Sequence, residues 1–427
     1  MKKRQVQAGY WLRMAVITAW MALAAGCSHM QEPEVLGKLE TEGEDSQELS
    51  EAFEAEAFDS FPGMPGVPER YEAELQEEGL MLTADAQVEL PDAISPGNHR
   101  LVSESFTEEE FERIGRSLSG RLGMDWQRKV EQDAQEPNPE EKRQLRVFRI
   151  EDGGKCYQVD YTSYLETVRD ERGQAAPSLI WWVNQDAGKW KGSSSDSRTY
   201  GKSDPAMAGK IPLASELEED AMSLLEAWGM GDYKVWDAWW MKTSYANRPD
   251  EYRYQIRCTP VFEGIPFGGK HGIMEGGVGR LSLPYVRFDY LEDKTLDVVC
   301  LVGKCKVSPG KNRDMFFLPF QAVGELFEQY VRDYVRLMPK EGTAMVHVTR
   351  VTMEYAGTNI GNSGTGFQKE PETDWLVPVW TFYGYMEEGD GLKPGKGLSP
   401  DRTNSYREMP LLSVRADDGQ LLFAGYQ

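Results

Sequence analysis

The sequence predicts an α+β fold built of two or three repeated modules, each a single helix packed on an antiparallel sheet. Three observations carry that expectation. An amphipathic stripe precedes a group of alternating strands at three places in the chain, each stripe has its own start or stop signal, and turn-forming residues separate the strands that follow.

Residues 316–427 show the pattern most fully. After Pro319, tolerated in a first helical turn, Phe320, Val323, Phe327, Tyr330, Tyr334 and Leu337 recur at helical spacing down one face, and Pro339 and Gly342 stop the helix. The next segment alternates. Met345, His347, Thr349, Val351, Met353 and Tyr355 are expected to face the helix, with the intervening residues on the other side. Trp375 to Tyr383 is an apolar strand in which Pro378 removes one ladder donor, so a sheet edge or bulge is expected there. Leu411 to Ala416, the turn Asp417-Asp418-Gly419 and Leu421 to Tyr426 close the unit as a hairpin.

The whole chain of 427 residues, 40% hydrophobic and 11% aromatic, has room for two or three cores. A net charge of -23 argues against nucleic-acid binding. That charge is concentrated: residues 31–80 carry sixteen Asp and Glu against Lys38 and Arg70, and residues 27–80 read as an acidic solvated tether. Ahead of it, Lys2, Lys3 and Arg4 precede an apolar stretch that ends Leu23-Ala24-Ala25-Gly26-Cys27, which reads as a signal peptide over residues 1–26. The ending resembles the lipobox of bacterial lipoproteins, in which the cysteine is acylated and becomes the first mature residue. The resemblance implies lipidation at Cys27, palmitate among the acyl groups, and attachment to the cell membrane facing outside.

In chain order, residues 81–187 form the first expected module. Its helix starts at a capping box, Thr107 to Glu110, carries Phe111, Ile114, Leu118 and Leu122, and stops at Gly123. Strands Gln144 to Ile150, Tyr157 to Tyr161 and Leu179 to Val183 follow, the first two joined at Gly153-Gly154. A Ser, Lys and Gly-rich linker, 188–210, leads to the second module at 211–310, where Ser215 to Glu218 reads as another capping box. Strands are expected at Tyr233 to Tyr245, Glu251 to Val261, Val286 to Tyr290 and Leu296 to Val302; residues 311–427 are the third module.

The strand Leu376-Val377-Pro378-Val379-Trp380 and the turn Ala416-Asp417-Asp418-Gly419, behind a helix, resemble the small α+β modules of PepSY-type proteins and of the YycH/YycI regulators of Gram-positive bacteria. The match to the closing turn of those modules rests on Ala416 and Gly419. The resemblance covers the last quarter of the chain. It implies a surface lipoprotein acting as an extracytoplasmic regulator or adaptor, without catalysis, and transfers no site residue.

Catalytic chemistry has no clear carrier. His29, His99, His271 and His347 are scattered and accompany neither a triad order nor a His-Glu-x-x-His pattern. The loop Gly264 to Gly279 lacks the order that cradles phosphate, and Ser308-Pro309-Gly310-Lys311 reads as a turn. No cofactor and no metal is expected. Besides Cys27 there are Cys156, Cys258, Cys300 and Cys305; Cys300 and Cys305 can bridge across a tight turn, or all four can be buried thiols. Trp181-Trp182 and Trp239-Trp240 are adjacent pairs on strands, so one of each must leave the local core. They pack between modules or form an exposed platform. The expected function is a membrane-anchored, non-enzymatic adaptor for another envelope protein; a carbohydrate-binding surface protein using the Trp platform is the alternative, and a hydrolase whose acids meet only in the fold is a third.

Overall fold

In a computed structural model, the described residues are 66–424 apart from 78, 92–95, 139–142, 165–177, 186–193, 203, 246–247, 269–282, 310–316, 338–342, 359–373, 390–407 and 418. They belong to a unit spanning Phe58–Gln427. Arg70–Glu77 (β1), Leu80–Glu89 (β2) and His99–Glu104 (β3) precede the first helix, Glu108–Leu122 (α1). Val130–Asn138 (β4), Arg143–Asp152 (β5), Lys155–Tyr164 (β6), Leu179–Asn184 (β7) and Ser194–Gly201 (β8) lead to Ile211–Ala227 (α2). Tyr233–Tyr245 (β9), Arg248–Phe262 (β10), Ile265–Pro266 (β11), Tyr285–Leu291 (β12), Leu296–Val302 (β13) and Lys304–Pro309 (β14) come next. Phe320–Leu337 (α3), Thr343–Thr358 (β15), Asp374–Gly389 (β16), Met409–Arg415 (β17) and Leu421–Ala424 (β18) complete the chain.

The expected repeat of helix-on-sheet modules does not form. The chain is mostly β, with two large sheets and three helices among the described residues. The first sheet runs β1-β2-β15-β16-β17-β18, with β3 against β14 and β16; the second runs β4-β5-β6-β7-β13-β12-β10-β9-β8, with β11 on β10. Strands assigned to different modules pair with one another: β7 with β13, β3 with β14, and β2 in parallel with β15. The expectation failed because it let each strand pair only with its sequence neighbours. A strand apolar on both faces, such as Leu296–Val302, needs partners on both sides and takes them from wherever the chain supplies them.

Two expected linkers are also folded in part. β1 lies inside the segment read as tether and pairs with β2 along its whole length; its Glu72, Glu74 and Glu77 charge an edge strand against further pairing. β8 lies inside the 188–210 linker and pairs with β9.

Helix α1 begins as the sequence indicates. The Thr107 hydroxyl accepts from the Glu110 amide at 3.2 Å, the Glu110 carboxylate accepts from the Thr107 amide at 2.9 Å, and Gly123 closes the helix at φ 68°. Helix α2 differs. It starts four residues before Ser215, directly from a 3₁₀ turn at Pro205–Lys210 with Pro212 in its first turn, so Ser215 is interior and donates back to the Ile211 carbonyl at 3.4 Å. Both helices cover the second sheet. Phe111 stacks on Tyr161, Trp126 on Trp182 and Trp228 on Phe288. Helix α3 covers the first sheet, where Phe327 lies 3.9 Å from Phe382, centroid to centroid, and nearly parallel to it.

In β15 the expected alternation holds only for half the strand. A bulge between Val348 and Arg350 reverses its phase, so Val346 and Val348 join Val351, Met353 and Tyr355 in the core. Opposite the bulge lies Gly384, where a Cβ would stand 1.8 Å from the His347 carbonyl oxygen. Backbone cannot yield there as a side chain would. Gly384→Ala is therefore expected to destabilise by about 3 kcal/mol or more, read from the shift of a urea midpoint at unchanged slope. Pro378 falls where β16 passes from pairing with β3, up to Leu376, to pairing with β17, from Val379 onward. The missing donor thus sits at a local edge inside an interior strand.

A polar cluster joins the two sheets. Trp236 on β9 donates from Nε1 to Glu354 Oε1 at 3.1 Å and to the Tyr383 hydroxyl at 3.2 Å, and that hydroxyl donates to Glu354 at 2.6 Å. Burial first, and then the neighbouring Glu354 carboxylate, hold Tyr383 neutral far above its ordinary range.

Candidate functional site

Because side chains alternate along a strand, the second sheet has one face under α1 and α2 and another turned away from them. Strand register places Asp160, Trp181, Cys300, Arg287, Arg257 and Asp237 side by side across that second face, on β6, β7, β13, β12, β10 and β9. The row below it carries Gln158, Val183, Val298, Asp289, Gln255 and Trp239. Trp181 is 41% exposed, among the largest apolar side chains left at the surface.

Two arginines stand directly opposite one another at the centre of the row, an arrangement that like charges disfavour. Each is held separately. Arg287 donates from Nε and Nη2 to the two oxygens of buried Asp289 at 2.8 and 2.5 Å, and Gln255 supports the same carboxylate at 2.7 Å. Burial opposes the Arg287 charge, but the Asp289 hydrogen bonds and charge outweigh it, so the guanidinium is firmly protonated. Arg257 lies over the rings of Trp239 at 5.1 Å and Tyr285 at 5.8 Å. The result is a row of fixed, half-buried guanidinium groups leading to one exposed indole.

A second feature is a cleft of about 310 Å³ where the two cores meet. Phe106 and Ile114 from the second-sheet core and Phe267 from the first-sheet core form its floor, with Met230, Tyr233, Phe262 and Val307 as partly buried walls. Its charged groups include Glu110, Lys304, Arg113 and Asp232. Lys304 donates to Glu110 at 2.7 Å. Burial would raise the Glu110 carboxyl, but its hydrogen bonds with Lys304 and Thr107 prevail and hold it below the usual carboxylate range. Burial pushes the Cys305 thiol up to about 12, so the thiol in this cleft stays protonated and is a poor nucleophile.

The residues singled out in the sequence are scattered. Cys27 lies outside the described residues, as do His29 and His271. Cys300 and Cys305 are free thiols on different sheets, as their strand assignments require: Cys300 faces the arginine row and Cys305 lines the cleft. Cys156 and Cys258 are also free. Of the four tryptophans expected to share a platform, Trp182, Trp239 and Trp240 are buried and only Trp181 is exposed. The pairs do point to opposite faces, but Trp239 is covered on the far face, with Arg257 over its ring. His99 is buried with its Nε2 3.0 Å from the Tyr355 hydroxyl, and His347 Nδ1 lies 2.8 Å from Thr83 Oγ1. Among the described residues no group of three His, Cys, Asp or Glu is placed to hold a metal ion, and no helix is long and apolar enough to cross a membrane.

Sequence reasoning missed Arg257, Arg287 and Asp289 altogether. The i, i+2 spacing of Arg287 and Asp289, on a strand whose intervening residue Phe288 is fully buried, was the available signal.

No protein-family model matches the sequence, and no curated protein matches it. The fold is similar to the crystal structure of an uncharacterised protein from Eubacterium rectale, with a TM-score of 0.51 over 89% of this chain and 98% of that one. At 13% identity the likeness is one of fold alone. Nearly the whole length of that protein has a counterpart here.

Proposed function

We propose that this chain is a membrane-anchored extracytoplasmic adaptor, lipidated at Cys27, that docks another envelope protein on the arginine and tryptophan face of its second sheet and carries out no catalysis itself. The observation that carries the reading is the row Trp181, Arg287, Arg257. Tryptophan, tyrosine and arginine dominate binding energy at protein interfaces, because they bury large areas and lose little freedom when already fixed in place. Here Asp289 fixes one guanidinium and aromatic rings support the other. A partner presenting an apolar pocket for the indole, and acceptors for the Arg287 hydrogens that Asp289 does not take, matches this face chemically.

Trp181→Ala and Arg287→Ala are each expected to weaken the affinity for the copurifying envelope protein by about tenfold or more, with Val130→Ala on β4 as a neutral control. Equal affinity for all three variants would remove this face from the function. Binding of a soluble glycan array that depends on Trp181, with no protein partner, would move the reading to the carbohydrate alternative, now resting on one tryptophan instead of four.

A further inference from the structure

We infer that the cleft between the two cores is a binding site for a small zwitterion with a bulky apolar side chain, that is, a free hydrophobic amino acid. This goes beyond the adaptor reading and does not depend on it. Three features converge on that chemistry.

The first is size. A volume of about 310 Å³ lies at the small end of the range for ligand pockets, about 300–1,000 Å³, and suits one ring or one branched side chain, not a drug-sized or oligomeric ligand. The second is the lining. Ile114, Phe106 and Phe267 are almost fully buried and present an apolar floor, with Phe262 and Val307 beside it. An apolar group entering there is removed from water on several sides. The third is the pattern of charge. Lys304 and Glu110 neutralise one another, so neither is available to a ligand without losing its partner. Arg113 and Asp232 differ: both are exposed cleft residues, and neither side chain has an ion-pair or hydrogen-bond partner among the described residues. That guanidinium and that carboxylate, on α1 and on the turn after α2, carry the charges that complement the α-carboxylate and the α-ammonium of an amino acid. A simple anion would satisfy Arg113 and be repelled by Asp232; a simple cation would meet the reverse.

Occupancy has a structural consequence. The floor draws on both hydrophobic cores, so a bound side chain would touch residues of each and favour the state in which they are closed on one another.

The test is calorimetric and thermal titration of the full chain with L-phenylalanine, L-leucine and L-methionine, against N-acetyl-L-phenylalanine, L-phenylalaninamide and glycine. The free bulky amino acids are expected to bind and to raise the unfolding temperature in a concentration-dependent way, while glycine does neither. Blocking either end is expected to weaken binding by about tenfold or more, the effect of losing one charge-assisted pair. Arg113→Ala should erase the penalty for the amide and Asp232→Asn that for the N-acetyl form; both side chains are exposed, so both variants are expected to fold with unchanged circular dichroism. Absence of any shift at millimolar amino acid overturns the inference. So does binding that is indifferent to both blocked ends and to both substitutions, which would mean an apolar crevice without recognition of the amino-acid head.

Discussion

Phe327→Ala is expected to cost about 3–5 kcal/mol, a large part of the total stability of an ordinary domain. Its ring is fully buried, stacks on Phe382 at 3.9 Å with an interplanar angle of 8°, and meets Tyr71 edge-on at 6.2 Å. Those three rings belong to α3, β16 and β1, so one side chain ties the last helix to the middle and to the edge of the first sheet. Truncation leaves a cavity that the packed rings around it close only in part. Phe327→Leu keeps most of the volume and should cost roughly 1–2 kcal/mol, the loss being ring contact and not void. Urea denaturation of the pair separates the two effects. Hydrogen exchange should report faster opening of β1 than of β12 and β13 in the alanine variant, because the second sheet has its own core under α1 and α2.

Asp417→Ala is the second large effect. Arg415 is fully buried and donates from Nε and Nη2 to the two Asp417 oxygens at 2.9 and 2.5 Å. Removing the carboxylate leaves a guanidinium in the interior without its bidentate partner, at a cost of about 3–5 kcal/mol. The double variant Arg415→Met with Asp417→Ala removes both charges and is expected to recover most of that loss. A double variant no more stable than Asp417→Ala alone would mean that Asp417 acts through the turn it starts, not through the ion pair.

What the sequence made legible was local. Thr107 with Glu110, the stripe Phe320, Val323 and Phe327, and the turns at Gly153-Gly154 and Gly419 each depend on residues a few positions apart, and each was found where expected. Partnership between strands was not legible in the same way. Leu296–Val302 reads as a strand from its own residues, but nothing in it names Leu179–Asn184 as a neighbour. The phase reversal in β15 was hidden for a related reason: a bulge is set by what the opposing strand can accept, here Gly384, and alternation extrapolates straight through it. The candidate site inherits that blindness. Trp181 stood out as half of a pair, but the arginines that give it a setting come from β10 and β12, and only lateral register across the sheet places them in one row. The three tryptophans assigned with it went to the core because a sheet of this width can bury large rings on both of its faces.

Docking of another protein where Trp181 reaches the surface of the second sheet is open to a direct test. Its most direct measurement places a photo-crosslinking residue at position 181 of the full-length protein in native membranes, and another at position 130 on the β4 edge, which is 57% exposed. A discrete crosslinked protein species is expected from position 181, absent from position 130 and fading when Arg287→Ala is added. The same species from both positions, or none from 181 while 130 yields one, would contradict that docking.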